Sequence, residues 1–315
     1  WVSEIVSGKL ATVRRPPELL TRDVVAKAIN AERDAGRSSE HGGAYLDISW
    51  RNPEEVKKKL PGMYHQFKEL AAVDITTEKM EVGPTAHYVM GGIRVDPETQ
   101  ETTVPRMYAA GEAATGLHGA NRLGGNSLSD LIVFGKIAGG YAAKRAKEIE
   151  NFSIIEASEI EKAIEDTLAP LKRESGENPA KVVEDLREMM QNKVGIIRTE
   201  SLLKEALLDL NELEIRGGNT TSGSSRIYNP GWHQSLEIDA MIDVSRMCTL
   251  AALHREESRG GHTREDFPVP DYKYWGKINS VITQKDVMAI EHRRYPQMDE
   301  DLKKLLDADD FHEEE

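Results

Sequence analysis

The run HGANRLGGNSL, residues 118–128, contains the residue types best suited to chemistry. Its glycines lead into Asn126 and Ser127, where an apolar helix is predicted to begin. A helix that starts after glycines exposes backbone N–H groups at the positive end of its dipole. Such a turn can bind an anion or the polar edge of a heterocycle. Glycine-rich turns also precede buried helices for structural reasons alone, so the run by itself leaves both interpretations open.

Further segments accompany this run along the chain: TRDVV (21–25), HYVMGGI (87–93), MYAAGEAA (107–114), NPGWHQSLEIDAMIDV (229–244) and REESRGGHTREDFP (255–268). In this order they resemble the flavoprotein subunits of succinate dehydrogenase and fumarate reductase, a family shared with the L-aspartate oxidases. The resemblance covers nearly the whole chain. It implies an FAD-dependent oxidoreductase fragment of the α/β (α+β) class, corresponding to the C-terminal part of such a subunit.

The resemblance also implies a division into four parts. Residues 1–83 would form the C-terminal part of a capping domain that closes over substrate, and residues 84–148 the C-terminal part of the FAD-binding domain. A helical domain would follow at 149–265 and a small C-terminal domain at 266–315. No G-x-G-x-x-G opens a βαβ unit in the sequence, so we expect the FAD site in this chain to be incomplete.

Three residues acquire substrate roles through the resemblance. Arg22 matches the arginine that passes a proton during succinate–fumarate interconversion, and His87 and Arg122 match residues that bind substrate carboxylates. A dicarboxylate needs cations or donors at both ends, and guanidinium supplies a planar two-point clamp. The plainer alternatives are a surface position at a helix start for Arg22, a structural role for His87 and a loop-pinning role for Arg122.

Four residues acquire cofactor roles in the same way. Glu112 matches a contact to the flavin ribose or ribitol, and Asn126, Ser127 and Leu128 match the helix start whose amides meet the flavin ring. Reduced flavin is stabilised by a helix N-terminus near its pyrimidine edge. For His118, orienting the loop and touching flavin remain equal alternatives.

Two rival functions remain open: an L-aspartate oxidase-like flavoenzyme and a non-catalytic interaction fragment of the same fold. By resemblance, the partners would be a C4 dicarboxylate substrate (succinate or fumarate), an iron–sulfur subunit that takes the electrons, and membrane anchor subunits. The protein would then lie peripherally on the cytoplasmic side of a membrane.

Local signals predict the elements that position these residues. Thr21 is expected to cap a helix to about residue 35, AYLDIS (44–49) to form a strand, and Asn52-Pro53 and Pro61 to open two short helices. The helix after Gly125 has small residues at Gly135, Ala138, Gly139 and Ala142, which favours close packing against another element. Pro179, Thr199 and the NPGW segment are expected to open three further helices, and two strands should follow residue 270.

Composition sets the outer limits. A net charge of −13 over 315 residues argues against non-specific nucleic-acid binding, which requires neutralisation of phosphates by Lys and Arg. The sequence has no apolar run long enough for a membrane-spanning helix. Its single cysteine, Cys248, excludes an internal disulfide and is expected in the core, and the scattered histidines predict no metal site. Met241, Val244, Met247 and Ala251 are expected to form the buried face of a helix.

Overall fold

The computed structural model describes residues 22–150, 154–284 and 287–302, and the chain divides into two compact units, 1–153 and 154–315. The first unit contains α1 (Arg22–Asp34), β1 (Ala44–Leu46), α2 (Pro53–Lys59), α3 (Pro61–Leu70), β2 (Met80–Val82), a 3-10 turn (Gly111–Ala113) and α4 (Asn126–Lys147). The second unit contains α5 (Ala157–Lys172), α6 (Pro179–Lys193), α7 (Glu200–Gly218), α8 (Pro230–His254), a 3-10 turn (Trp275–Lys277), β3 (Ile278–Gln284) and β4 (Met288–Arg294).

The helix starts lie where the sequence placed them. The Asn52 side chain accepts the Glu54 amide at 2.9 Å ahead of α2, and Thr199 Oγ1 accepts the Leu202 amide at 3.3 Å ahead of α7. Each bond satisfies one of the amides that a helix start leaves without an intrahelical partner. The expected cap at Thr21 lies outside the described residues.

In the first unit, β1 pairs with β2 in an antiparallel register that sets Ala44 opposite Val82. The predicted strand 44–49 is therefore shorter than expected, and its partner was not predicted. The two helices between the strands cover a small core of Val56, Ile75 and Met80.

The runs HYVMGGIRVD and MYAAGEAA, predicted to be β-prone, form single bridges rather than strands. Ile93 pairs with Ala114 in a parallel sense. A Cβ built on Gly92 would lie 2.6 Å from the Ala113 carbonyl oxygen, so this close backbone approach requires glycine.

Helix α4 corrects the expectation of close packing. Of its residues only Asp130 and Ala138 are buried, and a Cβ at Gly135 or Gly139 would meet nothing within 4 Å. The small residues therefore do not serve close packing among the described residues.

The second unit is a helical bundle built on α6, α7 and α8, with a core rich in Val, Leu and Ile. The prediction of which face of α8 is buried is wrong: Val244 is exposed, and the buried positions are Ser235, Ile238, Ile242, Thr249 and Ala252. The predicted core residue Cys248 is also exposed. Spacing identified the helix but placed its buried face one step out of phase, because which stripe is covered depends on where α6 and α7 pack.

The two predicted C-terminal strands are present as β3 and β4, antiparallel with Ile278 opposite Arg294. Within the described residues, all named strands belong to two such two-stranded sheets, and helices supply the rest of the regular structure. This mixture fits the predicted α/β (α+β) class in its α+β form. None of the helices in the described ranges combines the length and apolar character of a membrane span.

Candidate functional site at the glycine-rich loop

The start of α4 is an open helix end. Gly125 caps it with φ +85°, a left-handed conformation that glycine adopts without cost, and no side chain caps the helix. The Asn126 amide donates to the Leu123 carbonyl at 3.2 Å and the Leu128 amide to Gly125 at 3.1 Å. Among the described residues, the Ser127 amide has no such acceptor. A donor is thus left at the positive end of the helix dipole, where negative charge is favoured.

The HYVMGGI segment is fastened to this loop and to GEAA. Glu112 Oε1 accepts the Val89 amide at 2.8 Å, and the Arg122 amide donates to Met90 Sδ at 3.1 Å. The predicted flavin contact Glu112 therefore also holds the backbone that carries His87. Residues 23 and 32 positions apart in sequence meet here, as the resemblance implied.

Tyr88, His118 and Asp130 form a network behind the loop. The Tyr88 hydroxyl donates to Asp130 Oδ2 at 3.1 Å and lies 3.0 Å from His118 Nε2, which is 3.3 Å from the same carboxylate oxygen. The His118 and Asp130 side chains are only 6% and 7% exposed. Burial, reinforced by the bond to Asp130, raises the pKa of the Tyr88 phenol. The phenol therefore stays protonated and remains a donor.

Arg122 lies on the face of this network. Its guanidinium carbon is 4.7 Å from the centre of the Tyr88 ring, and Nη1 donates to Ser127 Oγ at 3.2 Å and to the Leu123 carbonyl at 3.5 Å. Nε is buried and has no hydrogen-bond partner. In the described part of the chain no carboxylate comes within ion-pairing distance of Arg122. A half-buried cation without a counter-charge is suited to an anionic ligand.

The side chains of Arg22 and His87 are both exposed. Asn121 Nδ2 donates to Asp23 Oδ1 at 3.4 Å, which brings the start of α1, where Arg22 is the first residue, to the glycine-rich loop. His87 immediately precedes Tyr88 in the fastened segment. The structure thus brings together the segments that carry all seven predicted site residues. The individual roles of Arg22, His87, Arg122, Glu112, Asn126, Ser127 and Leu128 stay predictions.

Sequence reasoning missed two members of the site. Asp130 is a single charge in the otherwise apolar stretch SLSDLIVFG, and an ionisable residue in such a stretch is a signal for a buried partner. Tyr88 had no signal beyond its position next to His87. For His118, left open between loop and flavin, the bond to Tyr88 supports the loop-orienting role.

The residues present fit one edge of an FAD site. The unpartnered Ser127 amide and the buried Nε of Arg122 are donors that lack acceptors, which is what a flavin ring or an acid ligand would supply. No group of three or more His, Cys, Asp or Glu residues suited to a metal ion occurs among the residues that the structure describes.

The REESRGGHTREDFP segment has a different, structural use in the second unit. Arg264 is 1% exposed, pairs with Asp266 at 2.7 Å and donates to the carbonyls of Ala252 and Leu253 at 2.9 and 2.8 Å. These carbonyls belong to the last turn of α8. The motif residue therefore caps a helix C-terminus.

Comparison with known proteins agrees with this site. Residues 8–128 match the family described as FAD binding domain, and residues 183–303 match the fumarate reductase flavoprotein C-term family. A subunit of the fumarate reductase (CoM/CoB) of Methanothermobacter marburgensis is 41% identical over 258 residues, which cover 81% of this chain and 46% of that protein.

Solved structures give the same result. A Mycobacterium smegmatis Sdh1 chain, in complex with UQ1, is 46% identical with a TM-score of 0.82, covering 93% of this chain and 50% of that one. A chain of E. coli quinol fumarate reductase is 28% identical with a TM-score of 0.80, covering 93% and 52%. The chain spans about half the length of the relatives it matches.

Two family matches in sequence order, relatives of this identity and superposition over more than nine-tenths of the chain agree with the motifs and with the geometry of the loop. The chain belongs to the family of succinate dehydrogenase and fumarate reductase flavoprotein subunits.

Proposed function

We propose that the natural protein interconverts succinate and fumarate. The observation that carries the proposal is Arg122: a half-buried guanidinium beside an open helix start, with a buried unpaired Nε and no carboxylate partner among the described residues. A helix N-terminus offers only donors, so a cation beside it needs an external anion. The names of the relatives, fumarate reductases among them, favour a C4 dicarboxylate as that anion.

In this reaction Arg122 and His87 bind the substrate carboxylates, and Arg22 transfers a proton at the reacting carbon. A free guanidinium does not lose its proton near neutrality, so Arg22 acts only in a concerted transfer with an acidic relay. FAD, when bound, supplies the hydride chemistry. Glu112, Asn126, Ser127 and Leu128 hold and orient it.

The partners and location complete the proposal. Electrons pass between the flavin and an iron–sulfur subunit, which joins membrane anchor subunits, and the chain lies peripherally on the cytoplasmic side. The subunit names of the relatives support this assembly. The direction of reaction is set by the potentials of the electron carrier and clusters.

The test uses the complete natural protein with FAD bound. Succinate should bleach the flavin absorbance and fumarate should restore it after chemical reduction. Reduction by L-aspartate instead would assign an L-aspartate oxidase-like activity, and no response to any of the three would support the non-catalytic rival. Arg122→Met should lower kcat/KM for fumarate by about 10²–10³-fold, the range for losing one preorganised donor.

The matched control is Arg145→Met. Arg145 is an exposed arginine near the end of α4 that pairs with Glu148 at 3.0 Å. Its replacement should leave turnover unchanged, because exposed ion pairs contribute little. Equal losses in the two variants would contradict the role of Arg122.

A further inference from the structure

Tyr88 lies between Arg122 and the buried pair of His118 and Asp130. We propose that Tyr88 is a positioning residue for Arg122: its anchored ring holds the guanidinium face, so that the guanidinium edge is directed at a substrate carboxylate. The inference rests on the proposed function and adds to it a residue that fixes dicarboxylate affinity.

The Tyr88 ring is held at several points. Its hydroxyl donates to Asp130 Oδ2 at 3.1 Å and accepts from His118 Nε2 at 3.0 Å, while the His118 ring packs edge-on at 5.1 Å between centroids. The next residue, Val89, is fixed through its amide to Glu112 at 2.8 Å. Since His118 and Asp130 are almost fully buried, solvent does not compete for these bonds.

Arg122 needs such a guide because little else restrains it. Apart from the ring, the guanidinium has only Ser127 Oγ at 3.2 Å and the Leu123 carbonyl at 3.5 Å, both bound through Nη1. An arginine side chain loses considerable rotamer entropy when it is fixed in one geometry. Stacking occupies the planar face of the guanidinium and leaves its edge donors for two-point binding of a carboxylate. Removing the ring restores that freedom, and the substrate must then order the side chain itself.

The test uses the complete FAD-loaded protein and two variants of one residue. Tyr88→Leu removes the ring, whereas Tyr88→Phe keeps the ring and loses only the hydroxyl anchors. Malonate is the binding probe, because it is a dicarboxylate without the carbon–carbon bond that reacts. Its Kd is measured by perturbation of the flavin absorbance, and KM and kcat are measured with fumarate.

We expect Tyr88→Leu to raise the malonate Kd and the fumarate KM together, by about 5- to 30-fold, the range for losing a desolvated cation–π contact. kcat should change much less, because the ring does not touch the reacting atoms. Tyr88→Phe should fall between wild type and Tyr88→Leu. The control is Tyr141→Leu on α4, a tyrosine 41% exposed, which should match wild type.

An unchanged Kd and KM in Tyr88→Leu, or a loss confined to kcat, would overturn the inference while leaving the proposed function intact. If Tyr88→Leu fails to retain flavin, Tyr88→Phe decides, and a wild-type Kd in that variant overturns the anchoring argument. A wild-type protein that neither binds malonate nor turns over succinate or fumarate overturns the proposed function and the inference with it.

Discussion

Arg122 in the first unit and Arg264 in the second both lie in glycine-containing loops beside a helix end, but their guanidinium groups have opposite surroundings. Arg264 lies at the C-terminus of α8, where free carbonyls and Asp266 satisfy it completely. Arg122 lies at the N-terminus of α4, where the backbone offers donors and no acceptors. The same side chain is therefore structural at one helix end and available for a ligand at the other.

The contrast extends to neighbouring residues. In the second unit the buried Glu257 accepts from Arg255 at 2.5 Å, from Arg259 at 3.2 Å and from the Asp271 amide at 2.9 Å. In the first unit Arg22 is exposed and forms no ion pair within the described ranges. Completed charge networks should respond to mutation through stability, and incomplete ones through activity.

The largest expected effect is on catalysis. Arg22→Lys in the complete enzyme should lower kcat for succinate oxidation by about 10² to 10⁴-fold, the range for a positioned proton-transfer group. Lysine keeps the charge but loses the planar set of donors. Flavin content should be unchanged. Arg33→Lys, on the same helix and paired with Asp34, is the matched control, and near-normal turnover by the Arg22 variant would return that residue to a surface role.

The next effect is on stability. Arg264→Met should lower the free energy of unfolding by about 3–5 kcal/mol, because it leaves Asp266 and the α8 carbonyls without their partner. Urea unfolding followed by circular dichroism measures it. Arg293→Met removes an exposed pair with Glu291 and should cost no more than about 1 kcal/mol. Similar midpoints for the two variants would show that the Arg264 network is not structural.

The third effect depends on pH. His262 accepts from Arg198 on Nδ1 at 2.9 Å and lies 3.0 Å from the Arg255 carbonyl through Nε2, so it is a neutral Nε2–H imidazole. Burial, and then the nearby arginines, lowers the pKa of His262 from 6.5 to about 4. Between these values the unfolded chain binds the additional proton, so stability falls as pH falls from 6.5 to about 4.

His262→Gln should remove this part of the pH dependence, about 3 kcal/mol at most, as judged by urea unfolding at several pH values. His233→Gln, at an exposed position on α8, should keep the wild-type slope. A His262 variant with an unaltered slope would exclude His262 as its source.

The smallest effect tests the backbone behind the site. Gly92→Ala should destabilise by about 1–3 kcal/mol, because its Cβ meets the Ala113 backbone and must displace the bridge between Ile93 and Ala114. Gly91→Ala, one residue earlier, meets open space and should leave thermal unfolding unchanged or slightly higher. Equal thermal midpoints would mean that the first unit tolerates movement at this point.

The sequence by itself determined the family, the helix starts and the segments of the site. Asn52, Thr199 and Pro179 mark helix starts because a cap bonds amides two or three residues away, and proline suits the first turn. The glycine-rich run predicted an open helix start for the same reason. All of these are interactions between near neighbours in the chain.

Only the tertiary structure decided burial and partnership. The buried face of α8, the exposure of Cys248 and the pairing of Tyr88 with Asp130, 42 positions away, depend on which surfaces pack. Helical spacing identifies an apolar stripe but not what covers it, since packing comes from distant segments. The same holds for arginine. Arg122 and Arg264 look alike in sequence, and only the helix end that each one meets decides which is left to bind an anion.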